Sequence, residues 1–233
     1  EGHISYSNKP YLNVPVVEIQ MDNSANLNHY RYMIDSPNGF HIGNTKVSLS
    51  EESRYNSFSF STGSKIARNA VEINLNEKYS DCNLNGLYIT QDKNHIDNHI
   101  NINHKNTNTK SNIFYKGILK DSSRAVFSGR VLVERNAQKT EATQRDKNLL
   151  LSPTVRINTK PSLEIYADDV KCGHGATASY FPDEAMFYMQ SRGLDKTTAE
   201  QLLIKGFADE IIQEIESSLI RNFFSDILIQ RSI

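Results

Sequence analysis

The chain has 233 residues, and its 26 Lys and Arg against 27 Asp and Glu leave a net charge of −1. That balance argues against a general electrostatic grip on nucleic acid or an acidic membrane, which needs surplus cations. No run of about 18 apolar residues is present to span a bilayer. The 38% of hydrophobic residues is enough to core one large domain, with or without a helical appendage. Two cysteines, Cys82 and Cys172, are too few for a disulfide-stapled scaffold and fit a reducing compartment. No basic stretch leads into an apolar one as in a signal peptide, and Glu1 in place of Met reads as a processed or excised piece.

From Tyr11 to about Ala178 the apolar residues come in short alternating runs. Phe58 and Phe60 alternate with serines, Val71, Ile73 and Leu75 with Glu72 and Asn74, Ile100 and Ile102 with asparagines, and Val131 with Val133. Period two with β-branched and aromatic residues predicts many half-buried strands. Turn residues separate them at Ser36-Pro37-Asn38-Gly39, Thr62-Gly63-Ser64, Asp81 to Gly86 and Asp121-Ser122-Ser123. The 24 asparagines fit ladders inside a β-solenoid or a coding bias equally well. The segment from Asn94 to Asn112 is the most biased, and its middle, Lys105 to Lys110, reads as a flexible excursion. No three-turn helical pattern precedes Pro182, which excludes a doubly wound α/β fold. A sandwich, a barrel and a parallel β-helix all stay open, because no repeat of fixed length is visible.

After Pro182 the period changes. Asp183 to Arg192 reads as a helix stopped by Gly193. Thr197-Thr198-Ala199-Glu200 reads as a capping box with Thr197 as the cap. The helix it opens carries Leu203, Phe207, Ile211, Ile215, Leu219, Phe223 and Ile227 at four-residue spacing. That spacing drifts about 40° per step against 3.6 residues per turn. Three readings follow: the helix breaks, near Asn222; another subunit covers part of the stripe; or the helix packs on its own domain.

Catalytic signatures are mostly absent: no P-loop, no G-x-S-x-G and no H-E-x-x-H. Gly173-His174-Gly175-Ala176-Thr177-Ala178 matches a loose dinucleotide fingerprint, but Ser179-Tyr180-Phe181-Pro182 stands where the helix should open. Asp168-Asp169 invites comparison with paired carboxylates of carbohydrate-active β-solenoids. Neighbours on a strand point to opposite faces, so a turn is favoured. His95, Asp97 and His99 alternate with Ile96 and Ile100 as a strand does, and the two histidines then lie about 13 Å apart, too far for one metal ion. His104 shares the apolar parity and reads as a core histidine. Cys172-Gly173-His174 is different: thiol and imidazole at i and i+2 of an extended segment point the same way, and flanking glycines let another surface approach. These donors suit iron and zinc. Two of them do not hold an iron–sulfur cluster, which takes four, so a partner would have to supply the rest.

A series of motifs in fixed order bears on that pair. Ser111 to Leu119 (SNIFYKGIL), Ala125 to Gly129 (AVFSG), Ala137 to Thr140 (AQKT) and Asn148 to Ser152 (NLLLS) are followed by Thr159 to Thr177 (TKPSLEIYADDVKCGHGAT) and Phe187 to Gly193 (FYMQSRG). The sequence from about His95 to Ile215 resembles the SufB/SufD family of iron–sulfur cluster assembly scaffolds, and the A-D-D-V-K-C-x-H-G-A-T stretch resembles its SufD branch; residues 1–90 match in character only. The SufB branch has a cysteine near the place of Val155 and Arg156 and a glutamate at the place of Gly175, and this chain has neither. The resemblance implies a right-handed parallel β-helix over residues 1–182 and a small C-terminal helical domain over 183–233. It implies a non-catalytic scaffold subunit that pairs with a SufB-like paralogue. A transient iron–sulfur cluster, shared with that partner and not held by this chain alone, would face His174 and Cys172. It also implies a SufC-like ABC-type ATPase docked on the C-terminal helices, for which Leu203, Phe207, Ile211 and Ile215 are the candidate surface. Whether the chain also pairs with itself is left open, as is any resident metal. The compartment would be a plastid-type organelle or a bacterial cytoplasm. The rival reading is a β-solenoid carbohydrate-active enzyme, which requires a groove with converging carboxylates.

Overall fold

A computed structural model describes residues 1–231. Fourteen strands precede three helices: β1 (Gly2–Ile4), β2 (Tyr11–Asn13), β3 (Val16–Met21), β4 (Asn26–Ile34), β5 (Gly39–Leu49), β6 (Arg54–Thr62), β7 (Ile66–Leu75), β8 (Asp81–Thr90), β9 (His95–His104), β10 (Lys110–Leu119), β11 (Arg124–Val133), β12 (Glu141–Leu150), β13 (Arg156–Ile165), β14 (Lys171–Ser179), then α1 (Asp183–Ser191), α2 (Lys196–Ile212) and α3 (Ser218–Arg231). Sheet A runs β1-β4-β6-β8-β10-β12-β14. Sheet B runs β13-β11-β9-β7-β5-β2, with β3 also on β5. Every pairing is parallel, as in Lys110↔Glu141 and Arg124↔Arg156. Alternate strands belong to alternate sheets, so the chain winds as a parallel β-solenoid of about six turns.

The repeat escaped the sequence because turns differ in length. Asn56 bonds Asn28 across 28 residues, Asn112 bonds Asn83 across 29, and Thr143 bonds Asn112 across 31. The same bonds settle the asparagine question at these positions: they are ladders, as are Asn69 on Asn98 and Asn103 on Asn74. Corners repeat as well. One series has a single left-handed residue per turn, at Ser24, Glu52, Tyr79, Asn108 and Lys139. In the last four turns of that series a wholly buried hydroxyl follows, at Ser53, Ser80, Thr109 and Thr140, and donates to the carbonyl three residues back. Lys105 to Lys110 is one of these tight corners and not a flexible excursion. Thr107 and Asn108 bond Gln138 of the next turn, and Thr109 is sealed inside.

The lumen is filled by alternate residues of both sheets. Ala67, Ile96 and Ala125 stack in one row, Ile73, Ile102 and Val131 in another, and all are in the inner core. His104 occupies that parity too, with no exposed surface. Its ring nitrogens meet the hydroxyls of Thr109 (2.7 Å) and Ser111 (2.8 Å), and burial pulls its pKa down to about 3, so it is a neutral core group.

The outer face of sheet A makes a second core. Phe58, Phe60, Leu87, Ile89, Phe114, Ile118 and Leu149 pack against Ile204, Ala208, Ile211, Ile212, Ile215, Phe224, Ile227 and Leu228 of the helices and their connection. The long apolar stripe is therefore spent largely on the chain's own sheet. Ile211 and Ile215 are buried there, Phe207 lies against it, and Leu203 is half-buried. Lys116 pins the contact. Wholly buried, its Nζ donates to the Phe207 carbonyl (2.5 Å) and to Glu210 (2.5 Å) and stands 4.1 Å from the centre of the Phe207 ring.

Helix ends differ from expectation in two places. The cap of α2 is Asp195, two residues before Thr197, because its carboxylate accepts from both the Thr198 N–H and hydroxyl. The break in the long helix falls between Ile212 and Ser218, not near Asn222, and Arg221 satisfies the freed Ile215 carbonyl. Gly193, with φ of +91°, ends α1 as predicted. The last two residues of the predicted helical domain, 232–233, lie outside the described residues. No described helix is long and apolar enough to cross a membrane.

Candidate functional site

The solenoid stops at β13 and β14, the last strands of the two sheets. Among the described residues each pairs on one side only, leaving a row of backbone N–H and C=O groups without a strand partner. Every residue of β14 is exposed except Cys172, which is half-buried. Nothing in the described residues completes the core at this end. Leu150, Val155, Ile157, Leu163, Val170 and Cys172 only partly bury themselves on it, and Ile165 and Tyr166 stand out in solvent.

Cys172 and His174 are brought together here. Cys172 continues the lumen-facing row Tyr55–Cys82–Ser111–Ala142, and His174 continues Leu84–Ile113–Gln144. Two positions apart on one strand, they share the inner parity, at the rim of an open lumen. Their environments differ. The thiol packs on the core, and burial raises its pKa, which keeps it protonated in the free chain. The imidazole is exposed. A Cβ at Gly173 or Gly175 would meet nothing within 4 Å, so open space flanks the pair.

The other candidates are not assembled into sites. Asp168 and Asp169 sit in the corner between β13 and β14, where the Asp169 N–H donates to Gln138 Oε1. The dinucleotide-like glycines lie in an edge strand with no helix opening behind them. His95, Asp97 and His99 lie on β9, with Asp97 held by Arg68 at 2.7 Å. Among the described residues no three His, Cys, Asp or Glu side chains are grouped to hold a metal ion. A sulfur-and-imidazole pair at an open rim is thus at most half of a four-coordinate site.

Sequence reasoning missed the residues under the rim. Gln144 and Asp146, directly below His174 and Ala176 in register, are wholly buried. Their segment, Glu141 to Lys147, reads as solvated because Ala142 is its only apolar residue. The available signal was Gly117 and Gly129, whose missing side chains make room for Asn148 and Gln144.

These features define a β-solenoid with helices on one outer face, open at one end with soft and nitrogen donors on its rim. The family profile described as SUF system FeS cluster assembly, SufBD core domain, matches residues 1–207, so the match extends through the first 90 residues as well. An iron-sulfur cluster assembly SufBD family protein of Synechocystis is 39% identical over 207 residues, covering 89% of this chain and 46% of that protein. The iron-sulfur cluster assembly protein SufD of Escherichia coli is 34% identical, covering 82% and 45%. The chloroplastic protein ABCI7 of Arabidopsis thaliana is 36% identical, covering 91% and 45%. The chain belongs to the SufB/SufD family of the SUF iron–sulfur cluster assembly system, in its SufD branch. It spans about half the length of these relatives.

Proposed function

We propose that the chain is a non-catalytic scaffold subunit of a SUF-type assembly complex whose open solenoid end pairs with a SufB-like paralogue. The nascent iron–sulfur cluster is the cargo of that junction. His174 faces it, Cys172 stands behind, and the partner supplies the remaining ligands. A SufC-like ATPase docks on the helical domain, residues 183–233, while residues 1–182 form the β-helix core. The observation that carries this reading is the unfinished end: two free strand edges and a half-covered core, with the Cys172–His174 pair on its rim. A long strand edge left bare is a template for pairing with another chain, and a related solenoid end laid over it would satisfy its free N–H and C=O groups. The chloroplastic relative favours a plastid-type compartment, the bacterial ones a cytoplasmic origin.

The apolar landing surface for the ATPase shifts with the fold. Ile211 and Ile215 are covered, so the surface is assigned to the helical side chains that remain outside, chiefly Phe187 and Leu219, each more than 70% exposed.

His174→Ala tests the site. The side chain is exposed, so the expected change in stability is within about 0.5 kcal/mol. The complex purified with SufB- and SufC-type partners should nevertheless carry less iron and sulfide. Undiminished iron and sulfide in that complex would remove His174 from the site.

A further inference from the structure

Along sheet A the inner rows change character one turn below the open end. Leu84, Ile113, Gln144 and His174 share a row; Gly86, Tyr115, Asp146 and Ala176 form the next; Tyr88, Gly117, Asn148 and Ala178 the third. Where earlier turns put leucine, isoleucine and tyrosine, β12 puts two amides and a carboxyl, all essentially without exposed surface. Gln144 reaches the opposite sheet, where a Cβ on Gly129 would stand 1.8 Å from its Nε2. Asn148 is fully engaged: it accepts from the Tyr88 hydroxyl, and its amide donates to Asp146 Oδ2 at 2.7 Å. Both side-chain polar atoms of Gln144 and the Oδ1 of Asp146 have no partner among the described residues.

Each buried polar atom left unpaired costs about 1–3 kcal/mol. One donor and two acceptors in the same layer are the kind of partners a buried water uses, since it makes about three hydrogen bonds. A single strand, β14, separates the layer from solvent, and the residues in register over it include the small Ala176 and Ala178. One strand spacing is about 4.8 Å.

We propose that Gln144 and Asp146 form a hydrated chamber, a binding site for a short string of water that carries protons between the Asp146 carboxyl and solvent at the open end beside His174. The proton lands on a carboxylate oxygen and leaves by the same route, with no electron transferred. Asp146 shares its row with Tyr115 of β10 and, farther along, Arg31 of β4; Tyr88 of β8 and His174 of β14 flank that row. The facing strand β11 offers Phe127, Gly129 and Val131, none of which titrates. Burial holds both tyrosines neutral and pushes the Asp146 carboxyl up to about 7, where it can both take and return a proton near neutrality. The residues that line the chamber all belong to this chain, and its mouth opens on the rim where the proposed partner would sit.

Infrared spectroscopy of the whole chain tests it. At about pH 6, where ordinary carboxyls are ionised, the wild type should show a protonated-carboxyl band whose main component Asp146→Asn removes. On transfer to heavy water the band should shift at once, while amides of β10 are still protected. Gln144→Leu, which repeats the residue at Leu84 in the same row, should slow that shift by about tenfold, equivalent to ~1.4 kcal/mol in a barrier. Exchange of the band only as fast as the β10 amides, or a Gln144→Leu rate equal to wild type, would overturn the proposal. So would a wild-type spectrum at that pH without a band assignable to Asp146.

Discussion

Asp146→Asn is expected to stabilise the protein by up to ~4 kcal/mol at about pH 8 while changing little at about pH 4. The carboxyl is wholly buried, and its folded pKa is raised to about 7, chiefly by desolvation, against about 3.9 in an unfolded chain. Between those values the folded state keeps a proton that the unfolded state has released. Stability therefore falls as pH rises through that interval and is flat above it. Asparagine has the same shape and no charge to desolvate, so the loss disappears. His104 works in the opposite sense, since its folded pKa is lowered and its contribution is lost as pH falls. That term is common to both proteins and cancels in the difference. Urea unfolding of the two proteins at the two pH values checks this. A gap that is equal at both would show that folding does not shift the Asp146 pKa.

Phe224→Ala should cost about 3–5 kcal/mol, the range for emptying a buried aromatic site. Phe224 is only 1% exposed, and its ring lies 4.9 Å from that of Phe58 and 6.0 Å from that of Phe60, between α3 and the outer face of sheet A. The contrast is with Phe187→Ser and Leu219→Ser on the exposed helical surface, where stability should hold within about 0.5 kcal/mol. Those two substitutions should instead weaken co-purification of the SufC-type ATPase. Deleting residues 197–233 would not separate these roles, because it uncovers the apolar outer face of β6, β8 and β10. Thermal or urea unfolding with a co-purification assay distinguishes them. A Phe224→Ala protein as stable as wild type would contradict the second core.

The strands were legible where one face is dry and the other wet. Val71, Ile73 and Leu75 alternate because β7 lies in sheet B, away from the helices. In β8 and β10 the alternation fades, since the helices bury the second face and both parities turn apolar. The rung count was hidden by corners of unequal length. The corner chemistry was nonetheless written in the chain, as a left-handed residue followed by Ser53, Ser80, Thr109 or Thr140. The helix break after Ile212 has no glycine or proline to announce it, and it depends on Arg221 reaching back to Ile215. The rim pair was readable because Cys172-Gly173-His174 is local. Gln144 and Asp146 were not, since only the pairing of β12 between β10 and β14 turns that polar segment inward.

Hydrogen exchange of the chain with and without its SufB-type partner measures the central claim most directly. If the open end is the docking face, amides of β13 and β14 should slow on complex formation, while those of β1 and β2 at the other end keep their rates. Unchanged exchange along β13 and β14, in a complex that has formed, would place the junction elsewhere and contradict the account.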